Sequence, residues 1–443
     1  MIYTSHMEKP KVLLVACRRQ SDLALVNPLL DKLVKANWQI RVAVYEQLNQ
    51  NVTFASSNKH RPYYPLIAIP RMGRFTCFLK ALLSNLIYIS ESLDSFYKYR
   101  LMQHTRGTLR KFGIYLIEKC EERRHSFQIL TSDLFINGVR KFLMLTSGIR
   151  LFAQFRNIEY DGLFVIGGFT ATSGEDMLLA DAKRKHVPSF VYFRSHDTLN
   201  SKGTLAHKPT HIFLQNDWQQ KLLVSRHRLK TQSSITGSVF FNHLSLIRIQ
   251  YRSLASSKNS SQHYGKILFL SSSRRNHKGE IEFFRQLVEK GKLYGNFSAE
   301  FFVRPHPAVV KEWQASLPKQ LSIPKSYGLS PYHEQNIDED FFNFDAFFCV
   351  NTSGIMDALI LSPYSKVFLI LNAQAIAQGD TSHFQNFIDC GIPYFMDIHD
   401  ALKFVYNDES AEVTYCRNSK ILERLLPNND YAIENIFTAI NSL

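Results

Sequence analysis

The sequence predicts an α/β chain built as two doubly wound parallel-sheet halves with a linker between them. Three observations predict it. Short apolar runs alternate with segments of helical period, the pattern of a parallel sheet covered by helices. A strand, helix, strand unit opens the chain, and a fresh strand opens again near residue 266. Between the two lies a stretch, residues 249–264, rich in Ser, Lys, Gln and Asn and without periodicity.

The elements follow in order. Residues 11–17 (KVLLVAC) are a near-continuous apolar run, residues 23–36 are amphipathic, and residues 38–45 (WQIRVAVY) return as a second strand. That β-α-β unit is expected to be parallel and right-handed. No G-x-G-x-x-G accompanies it, so the dinucleotide fingerprint is absent. From about 75 to 155 apolar residues recur at helical spacing, among them Phe78, Leu79, Leu82, Leu83, Leu86 and Ile87, and a helical region is expected within the first half. Strands resume at 162–167, 189–193, 211–215 and 234–236, with a helix over 174–185. The second half runs strand 266–270, helix 280–290, strands 299–303 and 344–350, helix 355–361, strand 366–371, then helices to the end. The domains are therefore expected at 1–248 and 265–443, with the terminal helices packing back on the first.

Composition narrows the function. The chain has 443 residues, enough for two cores without staples. No apolar run approaches the ~20 residues that cross a bilayer, and the polar start carries no signal-peptide core, so a cytoplasmic location is expected. Six cysteines lie scattered without metal spacing, and no metal or other cofactor is expected. Cys349 reads as a small core residue. The net charge of +15 calls for an anionic partner. Much of it falls between Arg71 and Arg156, including Lys80, Arg140 and Lys141. A solvated helix face explains such a run, and so does peripheral contact with an anionic membrane. Nucleic acid is not expected, because no zinc finger, RNP aromatic pair or helix-turn-helix cue is present.

Chemistry concentrates at strand ends. Arg304-Pro305-His306-Pro307 ends a strand, and its prolines stiffen the loop that displays a guanidinium and an imidazole. Asn351-Thr352-Ser353-Gly354 precedes a helix, where hydroxyls and open amides make an anion site. Two such ends side by side at a carboxyl edge would hold a nucleotide phosphate. Ser272 and Arg274, at the end of the 266–270 strand, are expected to reach the same phosphate. In the first half, His196 follows a strand beside Asp197 and is the candidate general base. A histidine that merely hydrogen-bonds backbone is its alternative. Glu175 and Asp176, after the loop 167–174, are rival bases.

The order of these pieces resembles the GT-B superfamily of glycosyl and glycerophosphate transferases. The likeness is to bacterial enzymes of surface polysaccharide biosynthesis, capsule and lipopolysaccharide included: CDP-glycerol glycerophosphotransferases, capsular polysialyltransferases and Kdo transferases. It rests on Asn216-Asp217-Trp218, Ile235-Thr236-Gly237-Ser238, residues 268–273, Arg304-Pro305-His306-Pro307, Asp338-Glu339-Asp340-Phe341-Phe342, Asn351-Thr352-Ser353-Gly354 and His383-Phe384-Gln385-Asn386-Phe387. Where relatives often show Gly-x-Pro-x-x-Asp, this chain reads Gly237-Ser238-Val239-Phe240-Phe241-Asn242. The resemblance implies two Rossmann-like domains facing a cleft, donor phosphate on His306, Thr352 and Ser353, and His196 as base.

The resulting expectation is a metal-independent glycosyltransferase taking a nucleotide-sugar donor to a glycan or lipid-linked acceptor at the inner membrane face. Arg304, His306, Thr352, Ser353, Gly354, Ser272 and Arg274 would hold the donor phosphate. His196, Glu175, Asp176 and His306 would carry the chemistry. Rival readings are a sugar-nucleotide epimerase of the UDP-GlcNAc 2-epimerase type and a basic nucleic-acid-binding protein.

Overall fold

The computed structural model describes residues 9–17, 20–44, 66–69, 74–89, 111, 115, 132–155, 157–169, 174–193, 195–196, 198–199, 204–250, 265–272, 277–293, 300–306, 309–316, 344–350, 352, 354–371 and 384–442. The chain forms two compact units, Met1–Gly237 with Tyr431–Leu443, and Ser238–Asp430.

Unit 1 contains β1 (Lys11–Cys17), α1 (Gln20–Lys35), β2 (Trp38–Val44), β3 (Leu66–Ala68), α2 (Arg74–Ile89), α3 (Asp133–Phe155), β4 (Gly162–Gly167), α4 (Glu175–Arg184), β5 (Ser189–Phe193), β6 (His211–Leu214), α5 (Asp217–Ser225) and β7 (Gln232–Ile235). Its seven strands are parallel in the order β3-β2-β1-β4-β5-β6-β7. The order reverses between β1 and β4. β4 and β5 are buried throughout and β1 after its first residue, as strands covered by helices on both faces must be. A left-handed turn at Asn37 (φ 66°) ends α1 and feeds the chain directly into β2.

The helical region is present as α2 and α3, which pack on each other around Leu83, Ile87, Ile136 and Leu143, and α3 also packs on α4. Two of its basic residues do not form the solvated face expected of them. Lys80 has no exposed surface and pairs with Asp176 of α4. Arg140 is buried and donates to the carbonyl of His227.

Unit 2 contains α6 (Val239–Gln250), β8 (Lys266–Leu270), α7 (His277–Leu293), β9 (Glu300–Arg304), α8 (Val310–Ser316), β10 (Ala346–Cys349), α9 (Gly354–Leu361), β11 (Lys366–Ile370), α10 (Gln385–Asp389), β12 (Tyr394–Phe395), α11 (Ile398–Tyr406) and α12 (Ala411–Leu425). Its sheet is parallel in the order β12-β11-β10-β8-β9. Strand alternation splits the core between the two faces. Leu268, Leu270, Phe347 and Cys349 point into one cluster, Ile267, Phe269, Ala346 and Phe348 into the other.

The division between units lies at Gly237 and Ser238, ahead of the expected one at residue 248. The reason is α6, which packs on α9 and sends Phe241 and Leu244 into the core with Leu268 and Met356. Most of the expected linker, residues 251–264, lies outside the described residues. The last helix, α13 (Ala432–Asn441), belongs to unit 1. It packs on α1, where Glu434 pairs with Lys32, and Asn441 Oδ1 accepts from Trp38 Nε1 at 3.1 Å. Among the described residues no helix is long and apolar enough to cross a membrane.

Candidate functional site

In an open parallel sheet, ligands bind beyond the carboxyl ends of the strands where the order reverses. In unit 2 that point is the gap between β8 and β10, with β9 on the other side of β8. The strand ends bearing Arg304 and Thr352 therefore are not adjacent, as expected from sequence, but flank the end of β8.

Ser271 and Ser272 form that end. Ser271 ties β8 to β9: its N–H donates to Arg304 O at 3.1 Å and its Oγ accepts from His306 N at 2.8 Å. Ser272 does not present its polar groups to a phosphate. Its N–H donates to Glu280 Oε2 at 3.0 Å, and its hydroxyl donates to the same carboxylate. Glu280 is fully buried in the first turn of α7, and burial pushes its pKa up to about 7 against the pull of the Ser272 bonds.

Three predicted phosphate ligands surround this junction. The Arg304 side chain is mostly buried, with Nη1 3.8 Å from Asp357 Oδ2. His306 is half-buried, and burial lowers its pKa. Thr352 Oγ1 accepts from Gly354 N at 3.2 Å at the start of α9, and its hydroxyl proton remains a donor for a ligand. Gly354 lies in close packing, since a Cβ there would stand 3.3 Å from Thr352 Oγ1 and 3.4 Å from Leu270 Cδ1, so a larger residue would need its neighbours to give by a few tenths of an ångström. Ser353 and Arg274 lie outside the described residues.

In unit 1 the reversal falls between β1 and β4. At the end of β4 a Cβ on Gly167 would stand 2.7 Å from the Phe169 ring, and Phe169 itself is left-handed at φ 47°. A non-glycine residue in that region costs of order 1–3 kcal/mol and needs its surroundings to hold it. Phe169 is held by full burial against Phe193.

The candidate bases fare differently. Asp176 is committed to structure, pairing with Lys80 and accepting from Ala206 N at 2.8 Å. Glu175 has no exposed surface for an acceptor hydroxyl to meet. Both acids are buried more fully than His196, which is 8% exposed. His196 follows β5, and its carbonyl is fixed by Gln219 Nε2 at 3.0 Å. Gln219, fully buried in α5, also accepts from Gln215 N at 2.8 Å, while Gln215 Nε2 reaches Phe193 O at 3.2 Å. The segment beyond His196 is held by His227, whose Nε2 donates to Leu199 O at 2.6 Å and whose Nδ1 accepts from Thr204 Oγ1 at 3.0 Å. Burial drives His227 down to about 3 and His207 to about 4, so both are neutral near pH 7. Asp197 lies outside the described residues.

Gln219, Glu280 and Asp357 were not singled out as site residues from sequence. Glu280 alone carried a signal, an acid just after the basic turn at 274–278.

No protein-family model and no curated protein matches this sequence. Solved structures similar to it include the glycotransferase of kitacinnamycin, at TM-score 0.49 and 10% identity over 98% of this chain and 99% of that one. MurG of Acinetobacter baumannii follows at 0.48 and 12%, over 98% and 100%. UDP-GlcNAc 2-epimerase from Neisseria meningitidis, in a structure bound to UDP-GlcNAc, is similar at 0.48 and 13%, over 98% and 100%. The two-unit α/β architecture follows from the sheet topologies themselves.

Proposed function

We propose that this chain is a GT-B-type glycosyltransferase, moving a sugar or related group from a nucleotide-activated donor to a lipid-linked or growing surface glycan. The observation that carries the reading is the switch point of unit 2, where Arg304, His306, Thr352 and the start of α9 surround the end of β8. A guanidinium, an imidazole, a hydroxyl and helix-terminal amides are the groups that stabilise a departing phosphate as its charge develops. In this reading those groups, rather than a metal, offset the charge. His196 is the base for the acceptor hydroxyl, with its backbone fixed by Gln219.

Membrane contact belongs to the same reading. Phe75, Leu134, Phe142 and Leu145 are exposed on α2 and α3 beside exposed Lys141, and Phe75 meets Phe142 edge to face at 6.3 Å. Apolar side chains with a cation among them suit the surface of an anionic bilayer. Sedimentation with phosphatidylglycerol vesicles should fall at least severalfold in a Phe142→Ser/Leu145→Ser variant with unchanged melting.

The donor reading is tested by thermal shift against CMP, CDP, UDP, GDP and their sugar conjugates. One nucleotide family should raise the melting temperature, and His306→Ala should abolish the rise. A folded protein indifferent to every member of the panel would sink the donor site.

A further inference from the structure

Asp357 sits in the first turn of α9, a position that by itself repels the anion the helix terminus would otherwise attract. It does not face solvent. Its side chain is 13% exposed and its Oδ2 stands 3.8 Å from Arg304 Nη1. The two residues come from parts of the sheet that are not neighbours. Arg304 ends β9, the edge strand, whereas α9 follows β10 on the far side of β8. Adjacent strands lie about 4.8 Å apart, and α9 starts against β8, where a Cβ on Gly354 would stand 3.4 Å from Leu270 Cδ1, so the contact between Arg304 and Asp357 bridges the end of β8.

An arginine at a sheet edge ordinarily turns its head toward water. Here it is drawn inward to the place where the strand order reverses. We propose that Asp357 is a positioning residue for the donor-phosphate site: it holds the Arg304 guanidinium over the switch point, beside the start of α9, before ligand arrives. The proposal rests on the donor-site reading and adds a residue to it. Pre-placing the charge removes the cost of ordering a long side chain on binding. Burial, against the opposing pull of Arg304, raises the Asp357 pKa to about 6, so the carboxylate that does the holding is ionised at neutral pH.

Isothermal titration of the full chain with CMP, CDP, UDP and GDP tests it. With the ligand that binds best, Asp357→Asn should weaken affinity about tenfold, and Arg304→Gln should weaken it as well. In the Arg304→Gln background the Asp357→Asn change should cost nothing further, because nothing is left to position. Should the asparagine variant not melt cooperatively, Asp357→Ser serves in its place. Affinity unchanged or tightened by the Asp357 change, or an equal loss in both backgrounds, overturns the proposal and leaves the donor site standing. Wild-type protein that binds none of the four nucleotides overturns the donor site and the proposal with it.

Discussion

Lys80 and Asp176 meet inside unit 1 with almost no exposed surface between them. Removing one partner of such a pair strands the other charge, at a cost of about 3–5 kcal/mol, whereas replacing both with apolar groups of similar size is near neutral. Lys80→Met should therefore lower the urea midpoint sharply, and Lys80→Met/Asp176→Leu should recover part of the loss, the remainder being the buried Ala206 N–H that Asp176 no longer accepts from. No such contact is legible in the sequence. A lysine in a basic, amphipathic segment reads as a surface residue, and the acid that buries it lies far along the chain. The same holds for Arg304 and Asp357. Their residue types announce a phosphate site and a helix start, but their meeting depends on β8 lying between β9 and β10. Ser272 and Glu280 teach the converse. A serine at a strand end looks like a ligand, yet here its N–H and hydroxyl close the loop onto α7.

At the scale of elements, the strands legible in advance were the long apolar ones, such as β1, β4, β8 and β11, because both of their faces are buried. β3 and β12, of three and two residues, are too short for any period to show. α6 was missed for a related reason. Its apolar residues surround the helix rather than striping it, since it lies buried against α9. α5 is positioned by its cap, with Asn216 Oδ1 accepting from Gln219 N at 3.0 Å. Asn216→Ala should cost about 1 kcal/mol, and because Gln219 also fixes His196, amide exchange should quicken at 195–199 as well as within α5. α13 buries Ile436 and Ile440 on unit 1. At about 2 kcal/mol per buried isoleucine, removing residues 431–443 should raise exchange across α1 and β2 while unit 2 keeps its protection.

The whole molecule joins two units with opposite responses to acid. In unit 1, His207 and His227 are held near 4 and 3, below the ordinary histidine value of 6.5, so folding favours their neutral forms. Their contribution is full above pH 6.5 and is lost as pH falls through that window. In unit 2, Glu280 and Asp357 are raised to about 7 and about 6, so folding favours their protonated forms. Their contribution is full below pH 4 and declines as pH rises to 7. Moving from pH 7 to pH 5 should thus weaken the slowest-exchanging amides of unit 1 and strengthen those of unit 2, and parallel movement of both would contradict the assignment. That two sheets exist was legible from strand runs alone. The return of the final helix to unit 1, expected from sequence, carries a consequence for how the protein is made. Because residues 431–443 complete unit 1 while unit 2 is one continuous segment, a ribosome delivers everything unit 2 needs before it delivers the last piece of unit 1. The half begun first is the half finished last, and its α1 surface waits uncovered until residues 431–443 arrive to pack on it.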